Sequence, residues 1–165
     1  MAPDIDLSRL NICFLAGTLG QGGAEQQLYY ILQALCREGT QVRVLSLTKG
    51  EFWEEPIRRL GVPVIWVGRS SSRAGRLGRI FQELRREPAR IVQSQHFFTN
   101  LYAAFAARAL GSAEIGAIRN DVWSEVRHNG RLLGTMSLRL PRTLAANSMA
   151  AIRNATELGV PRARL

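Results

Sequence analysis

Short apolar runs alternate with helical stripes along almost the whole chain. Six runs read as strands, at residues 11–15, 42–47, 64–67, 91–94, 115–118 and 144–146. None alternates strictly between apolar and polar positions, as expected of strands covered on both faces in a parallel sheet. Leu28, Ile31, Leu32 and Leu35 form one apolar stripe at helical spacing, and Leu77, Ile80, Phe81 and Leu84 form another. Residues 97–110 are alanine-rich and suit a helix packed closely on a sheet. Gly39, Gly61 and Gly111 follow helical segments, where a left-handed residue is favoured. Ser148 is placed to cap the last helix. The serine-rich stretch 70–75 reads as a mobile surface loop. This order predicts an α/β domain with a Rossmann-like open parallel sheet, helices on both faces, and six or seven strands in the order 3-2-1-4-5-6.

The first strand and first helix are joined by GTLGQGG, with four glycines in seven residues. A glycine-rich turn into a helix N-terminus lets backbone N–H groups approach an anion, and the helix dipole adds to the attraction. The two commonest motifs do not match. In a dinucleotide fingerprint beginning at Gly20 and Gly22, the third glycine would fall on Glu25. The second strand ends Ser46-Leu47-Thr48-Lys49, without an acid to hold a ribose. Gly17 and Gly22 have the Walker interval, but Gly23-Ala24 follows where Lys-Ser is required.

At 165 residues the chain fits one domain of ordinary size. Its formal charge is +9, unevenly placed: residues 1–68 carry a net −1 and residues 69–165 a net +10. That asymmetry suggests an anionic partner for the second half. Cys13 and Cys36 lie on apolar faces and read as buried thiols in a reducing compartment. Neither has neighbours at zinc spacing, so no metal is expected. No apolar run reaches membrane-spanning length, and the start has no signal-peptide pattern. The expectation is a cytoplasmic protein.

Ligands of open α/β sheets bind beyond the carboxyl ends of the strands. There the chain offers the glycine loop, Gln95 and His96 after the fourth strand, Arg119, Asn120 and Asp121 after the fifth, and Asn147 and Ser148 after the sixth. Taken together, GTLGQGGAEQQ, IVQSQHFFTNLYAAFAAR and AANSMAAIRNATELGVPRARL resemble the N-terminal domain of GT-B glycosyltransferases, in particular the retaining enzymes of family 4. The resemblance runs over almost the whole chain. It implies two Rossmann-like domains, the first holding mainly the acceptor and the second most of the nucleotide-sugar donor.

By that resemblance Gly20, Gly22 and Gly23 form the donor phosphate loop, and His96 is the catalytic-site residue that contacts the transferred sugar. Glu25, Arg119, Asn120, Asn147 and Ser148 would bind substrate. No cofactor or metal is implied beyond the nucleotide-sugar itself. The family's second domain carries a Glu-x7-Glu pair, an interval that no two glutamates have here. The chain therefore reads as an isolated N-terminal half, inactive alone, whose C-terminal partner domain is missing.

Arg76, Arg79 and Arg86 lie opposite the Leu77/Ile80/Phe81/Leu84 stripe, and Arg127, Arg131 and Arg139 flank Leu132, Leu133, Met136 and Leu140. Such basic amphipathic segments suit peripheral contact with an anionic inner membrane face, where a lipid-linked acceptor would be met. The same pattern also describes stripes that face the core beneath solvated arginines. Two other classes stay open: the nucleotide-binding domain of an oxidoreductase, and a basic nucleic-acid-binding module. Against the latter, aromatic residues are sparse in the basic half, and no nucleic acid is expected as partner.

Overall fold

The computed structural model describes residues 6–165. Strands β1 (Asn11–Ala16), β2 (Gln41–Ser46), β3 (Val64–Trp66), β4 (Ile91–Ser94), β5 (Ala113–Ile118) and β6 (Thr143–Ala146) form one sheet ordered β3-β2-β1-β4-β5-β6. All five pairings are parallel. The connecting helices are α1 (Gly23–Arg37), α2 (Glu54–Arg59), α3 (Arg73–Arg86), α4 (Asn100–Leu110), α5 (Val122–His128), α6 (Arg131–Arg139) and α7 (Met149–Glu157). The expected topology is the observed one, and the expected strand ends differ by no more than two residues.

The period of two splits each central strand between two cores. From β1, Cys13 and Leu15 pack with Ile80 and Leu84 of α3 and Ala103 and Ala107 of α4. Ile12, Phe14 and Ala16 pack on the other face with Leu28 and Leu32 of α1 and Ile57 of α2. Both faces are covered, so the strands read as continuous apolar runs. Four of the five alanines of α4 are buried, which brings its backbone close to the sheet. A third cluster joins Ile118 and Leu144 to Val122, Leu138, Ala151 and Ala155, so α5, α6 and α7 cover the β5–β6 end.

Two local expectations change. Residues 73–75 are helix, not loop: Ser72 caps α3 by accepting the Gly75 N–H at 3.0 Å. Arg76 holds the turn from the other side, donating to the Ser70 carbonyl at 2.9 Å. The segment carrying Arg127 to Arg139 is two helices, broken at Gly130 with φ +81°. Ile80 and Leu84 are buried, so the α3 stripe faces the core. Leu132, by contrast, is 73% exposed. No helix among the described residues is long and apolar enough to cross a membrane.

Of the two cysteines expected to be buried, Cys36 is only half-buried; Cys13 is fully buried, and burial pushes its thiol up to about 12, so it is inert packing. Its neighbour on β2, Arg43, is also buried; its guanidinium reaches the C-terminus of α3, pairing with the Glu87 carboxylate at 2.9 Å and bonding the Glu87 carbonyl.

Asn100 is the polar pin of the fold. It is fully buried at the start of α4. Its amide donates to the carbonyls of Ala117 and Ser137, both at 3.1 Å, and accepts the Ala117 N–H at 2.8 Å. One side chain thus joins α4, β5 and α6. Asn100→Leu would leave those three backbone groups unpaired in the interior. The expected loss of stability is about 3 kcal/mol, read from urea unfolding. Arg153→Ala, on the exposed face of α7, should change it by less than about 0.5 kcal/mol.

Candidate functional site

All six strands run the same way, so their carboxyl ends deliver six loops to one edge. The loop after β1 is held there by two carboxylates. Glu51 accepts hydrogen bonds from Thr18 Oγ1 at 2.7 Å, from Thr48 Oγ1 at 2.6 Å and from the Leu19 N–H. The Trp53 N–H donates to the Leu19 carbonyl at 2.8 Å, fastening the β2–α2 connection to the same loop. Burial pushes the Glu51 carboxyl up, but the bonds from Thr48, Leu19 and Thr18 and the nearby His96 outweigh it, and its pKa is lowered. An acidic residue does follow β2, therefore, two positions past Lys49, and it holds the protein's own loop.

The second carboxylate acts through His96. The Gly17 N–H donates to His96 Nδ1 at 3.0 Å, and His96 Nε2 lies 2.9 Å from Glu25 Oε1. Since Nδ1 accepts, the neutral ring carries its proton on Nε2 and donates it to Glu25. Both side chains are nearly buried, at 12% and 8% exposure. Around them Ser94, Thr99 and the His96 carbonyl are knit by bonds of 2.7 Å. Gln95, fully buried, donates to the Ala24 carbonyl at 2.6 Å, a second tie between the end of β4 and the first turn of α1.

The loop glycines serve by lacking a Cβ, since none has positive φ. A Cβ at Gly22 would fall 2.3 Å from Glu25 Oε2, so the folded-back carboxylate requires glycine there. A Cβ at Gly23 would meet nothing within 4 Å. Gly22 and Gly23 are exposed at the start of α1.

Arg119 approaches the same helix, donating to Gln27 Oε1 at 2.9 Å. Burial lowers its pKa from the usual guanidinium value. Asn147 donates to the Arg119 carbonyl at 2.8 Å, and Asn120 to Glu125 at 2.7 Å. Ser148 accepts the Ala151 N–H at 3.1 Å, capping α7 as the sequence suggests. The structure thus gathers Gly22, Glu25 and His96 into one cluster and ties Arg119 to α1 two residues beyond Glu25. Asn120, Asn147 and Ser148 line the adjoining β5–β6 end. Two buried polar atoms at this edge, Gln95 Oε1 and Arg119 Nε, have no partner. Glu51, Gln27 and Phe98 had not been singled out in the sequence; Phe98 covers Gly17, where a Cβ would strike its ring.

A parallel sheet in this order, with a glycine loop opening α1 and a histidine closing β4, is the N-terminal domain of a GT-B fold. Residues 21–165 match Glycosyltransferase Family 4, and the chain belongs to that family. Alr3699/HepE of Anabaena, solved in complex with UDP and glucose, has a TM-score of 0.76 at 15% identity, over 94% of this chain and 43% of that one. The lipopolysaccharide outer core galactosyltransferase WaaB in its apo form gives 0.69 at 12%, over 94% and 44%. UDP-GlcNAc 2-epimerase from Methanocaldococcus jannaschii gives 0.62 at 15%, over 94% and 44%. At these identities the likeness is one of fold, and the chain spans less than half the length of each. Comparison with curated protein sequences gives no significant match.

The lowered pKa of Glu51 makes its hold on the loop sensitive to acid. A carboxylate whose folded-state pKa is depressed contributes stability that is full above its unfolded value, and that is lost as pH falls through the folded value. Glu51 should therefore protect the loop at neutral pH and release it below the ordinary glutamate range, about pH 4. Amide exchange at Leu19 reads this directly: protection should fall on acidification in the native protein. In Glu51→Gln it should be low and nearly independent of pH.

Proposed function

We propose that this chain is the acceptor-side domain of a glycosyltransferase that moves a sugar from a nucleotide-sugar donor to an acceptor, working with a second, donor-binding domain. The observation that carries this reading is the family match, whose span takes in both Gly22-Gly23-Ala24-Glu25 and His96. Structural relatives solved with UDP-glucose and UDP favour a nucleotide-sugar as donor.

In this reading the amides of Gly20, Gly22 and Gly23 and the dipole of α1 stabilise charge on the leaving diphosphate, with Arg119 adding a full positive charge beside it. No cofactor is required, and the reaction retains the anomeric configuration. His96 has both ring nitrogens engaged, so its first task is to hold the loop. A sugar hydroxyl reaches Nε2 only by taking the place of Glu25. Asn120 and Asn147 donate through their amide nitrogens, which leaves their amide oxygens for substrate. The enzyme works in the cytoplasm, at most peripherally on the inner membrane face.

The test compares the enzyme containing both domains with residues 1–165 alone, measuring nucleotide release and sugar transfer. The single domain should show no transfer. Gly23→Val should fold normally, because the site of its Cβ is open. It should nonetheless slow transfer about 100-fold in the whole enzyme by blocking the phosphate's approach to the loop amides. Gly22→Ala should act differently, by displacing Glu25 from His96. Full activity of Gly23→Val, or transfer by residues 1–165 alone, would overturn this assignment.

A further inference from the structure

Beside the loop edge, α3, α4, α5 and α6 enclose a cavity of about 430 Å³. We propose that it binds one molecule of a lipid phosphate, with the phosphate at an arginine rim and the start of the hydrocarbon on an aromatic floor. The proposal rests on the glycosyltransferase reading only in taking this amphiphile as the acceptor's anchor.

The floor is apolar. Leu77 of α3 and Leu133 of α6 face Leu101, Tyr102 and Phe105 of α4, with Phe98 at the mouth. Phe98 and Phe105 stay 40% and 44% exposed, a surface that a hydrocarbon would cover. The volume equals about fourteen water-sized units, enough for a phosphate and the first several carbons of a chain.

The rim is cationic. Arg73, Arg76 and His128 line the cavity, and none of the lining residues is Asp or Glu. Arg76 uses its Nε and one terminal nitrogen on the Ser70 and Ser71 carbonyls, which leaves the other terminal nitrogen for a ligand. Arg73 has no carboxylate within ion-pair distance among the described residues. Both arginines stand in the first turn of α3, where the helix dipole favours an anion over a cation. A neutral sugar fits this lining less well, because its hydroxyls need acceptors as well as donors. The lining's side-chain oxygen acceptors are few: the Asn129 amide oxygen, whose nitrogen donates to the Glu125 carbonyl at 2.8 Å, and the Tyr102 and Ser137 hydroxyls, beside two guanidinium groups.

Location completes the argument. Phe98 packs over Gly17, and its ring centre lies 5.7 Å from that of His96. A head group held at this rim is thus next to the edge at which the donor's sugar would be delivered.

Binding is measured by titration calorimetry with geranyl phosphate below its micelle concentration, which needs neither donor nor turnover. Geraniol, inorganic phosphate, maltotriose and vesicles of phosphatidylcholine with 20% phosphatidylglycerol serve as comparisons, on the order expected for a mildly anionic surface. Geranyl phosphate should bind at least about tenfold more tightly than geraniol or phosphate alone, and both Phe105→Asp and Arg73→Glu should weaken it about tenfold. Both side chains are exposed enough for the variants to fold, which circular dichroism checks. Equal binding of geraniol, tighter binding of maltotriose, attachment to vesicles without binding of the monomer, or indifference to both variants would each overturn the proposal. If geranyl phosphate binds and the whole enzyme transfers no sugar, the glycosyltransferase reading fails and the cavity assignment stands. If sugar is transferred and geranyl phosphate does not bind, the reverse holds.

Discussion

One imidazole joins three elements that the sequence keeps far apart. His96, at the end of β4, accepts the Gly17 N–H from the end of β1 and donates to Glu25 in the first turn of α1. Each contact restricts the others. Because Nδ1 accepts, Nε2 must donate, and Glu25 must fold back over the helix start to receive it. Because Glu25 folds back, residue 22 cannot carry a Cβ. The glycine loop therefore takes its shape from a buried hydrogen-bond chain, with Glu51 fixing its other side. Buried hydrogen bonds linked in this way rigidify what they hold.

The sheet makes this possible, since parallel strands with helical crossovers bring every strand end to the same edge. It also separates the charges by task. Glu25, Glu51 and Glu54 from the first half hold loops through backbone and side-chain donors. The arginine-rich second half places Arg73, Arg76 and Arg119 around that edge or the cavity beside it. The excess positive charge of residues 69–165 is in this way partly concentrated where an anionic substrate would arrive.

Much of the fold was legible because its strands are short, apolar and separated by helices of clear period. Order, direction and strand ends followed from that alone. Gly111, expected as a helix stop, has φ +74°. Less legible were features set by a single side chain reaching across the fold. The segment 70–75 resembled a loop because three serines obscured the one that caps α3. The break at Gly130 was hidden within a continuous amphipathic pattern. Asn100 and Glu51 left no periodic signal, because their partners are backbone groups distant in sequence. At the site, His96 and the glycines were recognisable as residue types at a strand end and a helix start. That His96 and Glu25 bond each other was not, since 71 residues separate them.

The central claim is that the α1 start, with its His96–Glu25 brace, faces the donor's diphosphate. The most direct measurement is a crystal structure of the whole enzyme with a nucleoside diphosphate and, separately, with an intact nucleotide-sugar. The account predicts a phosphate oxygen within about 3 Å of the Gly22 or Gly23 amide, the distance of an N–H···O bond. It also predicts that the sugar lies against His96, with Glu25 moved from Nε2 only in the sugar-bound form. A diphosphate bound far from the start of α1, with the His96–Glu25 pair unchanged in both complexes, would contradict it.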